Sequence, residues 1–125
     1  FCHMLMKHDS PSYGLALAAS KGKLFGLHMN DGYGFQDSGL IFGSVNFSLC
    51  AEFIYYLKKY HYDGVVFFDT FPIRENAILE AQANIKAFEQ ISKMVDNVGV
   101  EEIEKIVEKH DGISAQNLIM KLMEK

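Results

Sequence analysis

The sequence predicts an α/β fold built from successive β/α units with parallel strands. Two short apolar runs, Leu24–Leu27 and Val65–Phe68, each stop abruptly in polar residues. Each is followed by a loop and then an amphipathic segment, and this alternation is the grammar of a parallel sheet. The second run, Val65-Val66-Phe67-Phe68, is apolar throughout, as in a strand covered on both faces. With the stub Phe1-Cys2-His3 read as a strand end, there are still too few strands for an independent sheet, and a closed (β/α)8 barrel takes about 250 residues. The chain is therefore expected to form the C-terminal β/α units of such a barrel over residues 1–98. Residues 99–125 are expected to form a helical C-terminal extension.

Each element has a local reason. Residues 4–12 form a polar connector in which Ser12, preceded by Pro11, is placed to cap a helix. The helix-prone run Tyr13–Ala19 stops at Lys21-Gly22. After the first strand, Asn30–Ser44 carries Gly32, Gly34, Gly39 and Gly43, which suits a loop with unusual backbone angles and a functional role. Leu49, Phe53, Leu57 and Tyr60, with Ile54 beside them, predict a helix over 47–60. Asp63-Gly64 turns the chain into the second strand, and Pro72 closes it. A long helix over 75–95 places Ile78, Ala81, Ile85, Phe88, Ile91 and Val95 inward and Glu80 outward. Asn97 and Gly99 end it. Two amphipathic helices follow, divided at Asp111-Gly112, with Ile103, Ile106 and Val107 inward in the first and Leu118, Ile119 and Leu122 inward in the second.

Composition narrows the function. The chain has 125 residues, 49% of them hydrophobic and 22% charged, which is globular composition for one core. A net charge of −4 without a basic cluster gives no footprint for nucleic acid. Neither apolar strand run approaches the roughly 20 residues of a membrane span. Cys2 and Cys50 form no CxxC motif, and two buried thiols in a reducing cytoplasm are the expectation. The chain opens at Phe1 with neither an initiator Met nor a signal peptide, so a fragment, a processed product or a missing beginning is expected.

The residues that end the strands carry the candidate chemistry. His28 ends the first, followed by Asn30 and Asp31, and an imidazole there suits a divalent metal or a polar substrate. Asp69 ends an apolar strand, where a carboxylate needs a cation, a hydrogen-bond network or water. His3 is a further candidate ligand. Asp31 and Asp37 flank the glycine loop, where they reach a metal or substrate hydroxyls, or cap turns. Asn30 stabilises the loop mouth, and Tyr33 and Phe35 offer an apolar wall to a ligand or a subunit contact. His8, His61 and His110 lie in polar settings and are expected to be solvated. No phosphate-loop pattern occurs.

These stretches also carry a resemblance. Leu27-His28-Met29-Asn30-Asp31-Gly32-Tyr33-Gly34, then Asp37–Ser44, then Tyr62–Pro72, resemble the xylose isomerase-like TIM-barrel superfamily over about residues 1–95. The nearest members in pattern are sugar isomerases of the L-rhamnose isomerase type, with the ketose 3-epimerases as cousins. The resemblance implies a metal-dependent aldose–ketose isomerase represented by its C-terminal part, with a small sugar as substrate, Mn, Mg, Zn or Co as cofactor and a homo-oligomeric state. It assigns His28 and Asp69 as metal ligands and likens Phe1-Cys2-His3 to the end of an Asp-x-x-His motif, with His3 as ligand. Asp37 matches the first position of an Asp-x-Asp, but Gly39 occupies the second, so a second metal and a metal-assisted hydride shift do not carry over. Asn30, Asp31 and Tyr33 are expected on the substrate side. The family's catalytic glutamate lies on earlier strands and is absent from this chain. Alternatives are a ketose 3-epimerase, an endonuclease-like metal hydrolase, and a non-catalytic sugar-binding fragment.

Overall fold

A computed structural model describes residues 1–124. In chain order it comprises α1 (Cys2–Met6), α2 (Pro11–Ser20), β1 (Leu27–Met29), α3 (Phe47–Lys59), β2 (Val66–Phe68), α4 (Ala77–Val98), α5 (Val100–Glu108) and α6 (Gly112–Met123). Strands β1 and β2 pair in parallel, Leu27 opposite Val66, His28 opposite Phe67 and Met29 opposite Phe68. Helix α3 connects them.

This architecture overturns the expected TIM-barrel units. Among the described residues there is one sheet of two strands, each three residues long, and helices carry most of the chain. The stub Phe1-Cys2-His3 is not a strand end: Cys2 and His3 open α1, and only the Phe1 amino group reaches β1, donating to His28 O at 2.9 Å. A four-residue apolar run states that a segment is to be buried, not that strands flank it. Here helices supply most of the burial.

The core is one cluster. Leu27 and Met29 from β1 join Phe53, Ile54 and Leu57 from α3, Ile91 and Val95 from α4, Ile103 from α5 and Leu122 from α6. The core therefore runs continuously across the boundary at residue 98. The other sheet face is bare: His28, Phe67 and Val65 are exposed. Among the described residues no helix is long and apolar enough to cross a membrane.

Three local readings also change. Helix α2 starts earlier than expected, with Ser10 as N-cap and Pro11 in the first turn, while Ser12 is buried and its hydroxyl has no partner among the described residues. In α4 the first half is rotated: Ile78 and Ile85 are exposed, and Glu80 and Asn84 are buried. His8, His61 and His110 are exposed, and each sits one residue past the C-cap of α1, α3 and α5 with φ of 59°, 53° and 51°. That left-handed turn is the usual helix stop, filled here by histidine in place of glycine.

Candidate metal and substrate rim

Parallel pairing brings the polar strand ends together. His28 and Phe67 are register partners on the exposed face, with ring centroids 4.9 Å apart. The Asp69 N–H donates to Met29 O at 2.9 Å, so the pairing continues to the carboxylate itself. Asp69 Oδ2 then stands 3.7 Å from His28 Nδ1, with the two side chains 34% and 70% exposed.

A second pair forms on the loop beside it. His3 Nε2 lies 3.0 Å from Asp37 Oδ2. Asn30, buried, holds this arrangement: its Nδ2 donates to Asp37 Oδ1 at 3.0 Å and its Oδ1 accepts from Cys2 N at 3.2 Å. Asn30 thus positions Asp37 and the start of α1, an internal role rather than one facing a substrate.

Asp31 is elsewhere. It is fully buried, accepting from Gly32 N at 2.8 Å, from Val45 N and Asn46 N at 2.9 Å each, and from the Asn46 side chain at 2.6 Å. Its backbone also bridges to Leu40 in both directions. These bonds cinch loop 31–46 into a closed unit, and Asp31 presents no atom to a ligand. Tyr33, by contrast, is 70% exposed on the same loop, with Phe35 nearby and still more exposed.

The loop also docks on the end of β2. Phe71 N donates to Gly39 O at 2.9 Å, and the Phe71 ring covers Gly39 so closely that a Cβ there would collide with it. Gly39 has φ +56°, a conformation side chains resist. An Asp at position 39 would have to displace the Phe71 ring.

No protein-family model and no curated protein matches the chain. The rim must be read from its own geometry.

Two donors each about 2.1 Å from one ion lie no more than about 4.2 Å apart. The 3.7 Å between His28 Nδ1 and Asp69 Oδ2 is within that limit. Among the described residues no three His, Cys, Asp or Glu side chains converge. Each pair therefore offers no more than two protein donors.

Asn84 and Asn46 were not foreseen. Asn84 is fully buried in α4, where its Oδ1 accepts from Phe42 N at 2.9 Å and its Nδ2 donates to Thr70 Oγ1 at 3.1 Å. It ties the glycine loop to the segment just after Asp69. Its signal was present: Asn84, Phe88, Ile91 and Val95 follow one another at spacings of four, three and four. A polar residue on an apolar stripe marks a buried hydrogen-bond hub. Asn46 is the N-cap residue of α3 but makes no capping bond; its Nδ2 donates to Asp31 Oδ1 and Gly32 O across the loop, a partnership its position in the sequence does not signal.

Proposed function

We propose that this chain supplies metal ligands and a substrate-facing loop to a cytoplasmic, divalent-metal-dependent sugar isomerase that interconverts aldoses and ketoses and works as a homo-oligomer. The observation that carries the reading is the juxtaposition of His28, the central residue of β1, and Asp69, the residue that follows β2, 3.7 Å apart. The likeness of 27–34, 37–44 and 62–72 to L-rhamnose isomerase-type sequences favours sugar isomerisation over hydrolysis, as does the acidic charge.

In this reading His28 offers Nδ1 and Asp69 offers Oδ2 to one cation, with the Phe67 ring fixing the imidazole plane. His3 and Asp37, the latter pinned by Asn30, form a separate pair that offers hydrogen-bonding groups to sugar hydroxyls. Tyr33 presents an exposed ring and hydroxyl to the substrate. When bound, the metal supplies Lewis-acid polarisation of the sugar carbonyl and stabilises alkoxide charge. Two free, buried thiols, Cys2 and Cys50, are in keeping with a reducing compartment. Exposed Phe25, Val65 and Phe67 on the open sheet are in keeping with a subunit contact.

The test is titration of the chain with Mn²⁺ by calorimetry and electron spin resonance, followed by aldose and ketose panels monitored by proton NMR. About one ion per chain, weakened tenfold or more by His28→Ala and by Asp69→Asn, and interconversion of at least one sugar pair are expected. Undiminished Mn²⁺ affinity in the double variant would remove the reading.

A further inference from the structure

Asn84 touches the supports of both rim pairs. It is fully buried in α4, where its Oδ1 accepts from Phe42 N at 2.9 Å and its Nδ2 donates to Thr70 Oγ1 at 3.1 Å and to Glu80 O at 3.3 Å. A backbone N–H only donates, so Phe42 fixes which way the amide lies and turns its donors toward Thr70.

Thr70 carries the effect to Asp69. The amides of Asp69 and Phe71 donate to Met29 O and Gly39 O at 2.9 Å each, so the backbone beyond β2 stays pinned along one edge. Successive side chains of an extended chain point to opposite faces. Asp69 accordingly lies on the open face beside His28, while Thr70 reaches Asn84 on the side of α4. Two backbone bonds hold this segment in the plane of the sheet, and the Thr70–Asn84 bond sets its roll. A roll moves the Asp69 carboxylate most, because it stands furthest from the chain axis. The other arm of Asn84 holds Phe42, whose ring is buried against Phe1 and Phe88 and closes the loop that bears Tyr33 and Asp37.

We propose that Asn84 is a positioning residue for the rim: through Thr70 it sets Asp69 against His28, and through Phe42 it holds the loop of Asp37. One buried amide thereby aligns the metal half of the site with the sugar half. This role rests on the reading of His28 and Asp69 as metal ligands. Groups that orient a ligand from behind commonly matter about tenfold or more to metal affinity. Neither a carboxylate nor an apolar side chain offers an acceptor and two donors at one position.

Thr70→Val removes the acceptor at nearly the same size, and Thr70→Ser keeps it. Mn²⁺ affinity is measured for both and for the wild type by electron spin resonance, well below the thermal midpoint of each. The carboxyl-carbon shift of Asp69 is read in the metal-free, isotope-labelled chain. Thr70→Val is expected to weaken Mn²⁺ about tenfold and to move the Asp69 signal, whereas Thr70→Ser restores both. Asn84→Ala, which cuts both arms, should add fast exchange at Phe42 N–H; if it does not fold, the Thr70 pair decides. A wild type that takes no Mn²⁺ removes the metal reading, while the Asp69 signal still tests the positioning. An Asp69 signal unmoved in Thr70→Val, Mn²⁺ affinity there equal to the wild type, or an equal loss in Thr70→Ser would each overturn the proposal.

Discussion

Asp31 organises loop 31–46 at the level of single atoms. Both carboxylate oxygens are taken by Gly32, Val45 and Asn46, and the Cys50 thiol lies 4.0 Å from Oδ2. Burial raises the Cys50 thiol well above its usual range, and the Asp31 charge adds to that, so Cys50 stays protonated beside it. Replacing Asp31 by Ala strands three backbone donors in or near the interior, and each such loss costs about 1–3 kcal/mol. Asp31→Ala is therefore expected to lower stability by about 3 kcal/mol or more, with faster amide exchange at Val45 and Asn46 than at core positions of α3. Denaturant unfolding with residue-resolved exchange checks both. At this scale the sequence was only half legible. That Asp69 follows a strand could be read from the abrupt change of polarity there, but the first strand was misplaced: β1 starts at Leu27, where the expected strand ended, and His28 is its central residue. That Asp31 points inward and Tyr33 outward could not, because two loop residues in a row carry no period that separates the faces.

At the scale of elements, the helices from α2 onward were legible, whereas α1 and the strand bounds were not. The 47–60 stripe corresponds to α3, and the break at Asp111-Gly112 separates α5 from α6, because helical spacing and caps are written locally. In α4 the apolar positions permitted two stripes, and the one that includes Ile78 and Ile85 points to solvent. Asn84 decides between them, since its bonds to Phe42 and Thr70 pull its own side of the helix inward. The caps also carry a pH dependence. Asp111 accepts from Ile113 N and Ser114 N and from the Ser114 hydroxyl at 2.6 Å, and the Ser114 bonds hold its carboxyl below the ordinary carboxylate value. A carboxyl depressed in the folded state binds its proton less readily there than in the unfolded chain. Its contribution to α6 is complete above the unfolded value and is lost as pH falls through the folded one. Exchange protection at Ile113 and Ser114 should therefore fall on acidification below about pH 4. Asp111→Asn, which keeps the acceptor and removes the titration, should abolish that step.

At the scale of the whole molecule, the barrel expectation failed because it inferred partners from apolar runs. Val65-Val66-Phe67-Phe68 reads as a strand covered twice, yet Val65 and Phe67 are exposed and β2 has one neighbour among the described residues. A two-stranded sheet is marginal alone. Its stability here comes from the helices against Leu27 and Met29. Those helices in turn depend on the C-terminal pair: Ile103 and Leu122 are buried in the same cluster as Ile91, Val95 and Phe53. If α5 and α6 were an independent appendage, weakening their contact would leave residues 1–98 untouched. A single continuous core predicts otherwise. Ile103→Ala, which opens a void against Val95 and α3, is expected to cost about 2–4 kcal/mol, and the loss should appear equally in probes of α3, of β1 and of α6. Thermal unfolding followed by circular dichroism, together with exchange at Met29 and Ile54, gives the comparison. One shared transition, lowered throughout, is the expected result. A lowered α6 with an unchanged β1 would mean that the helical pair is docked on the sheet domain rather than built into its core.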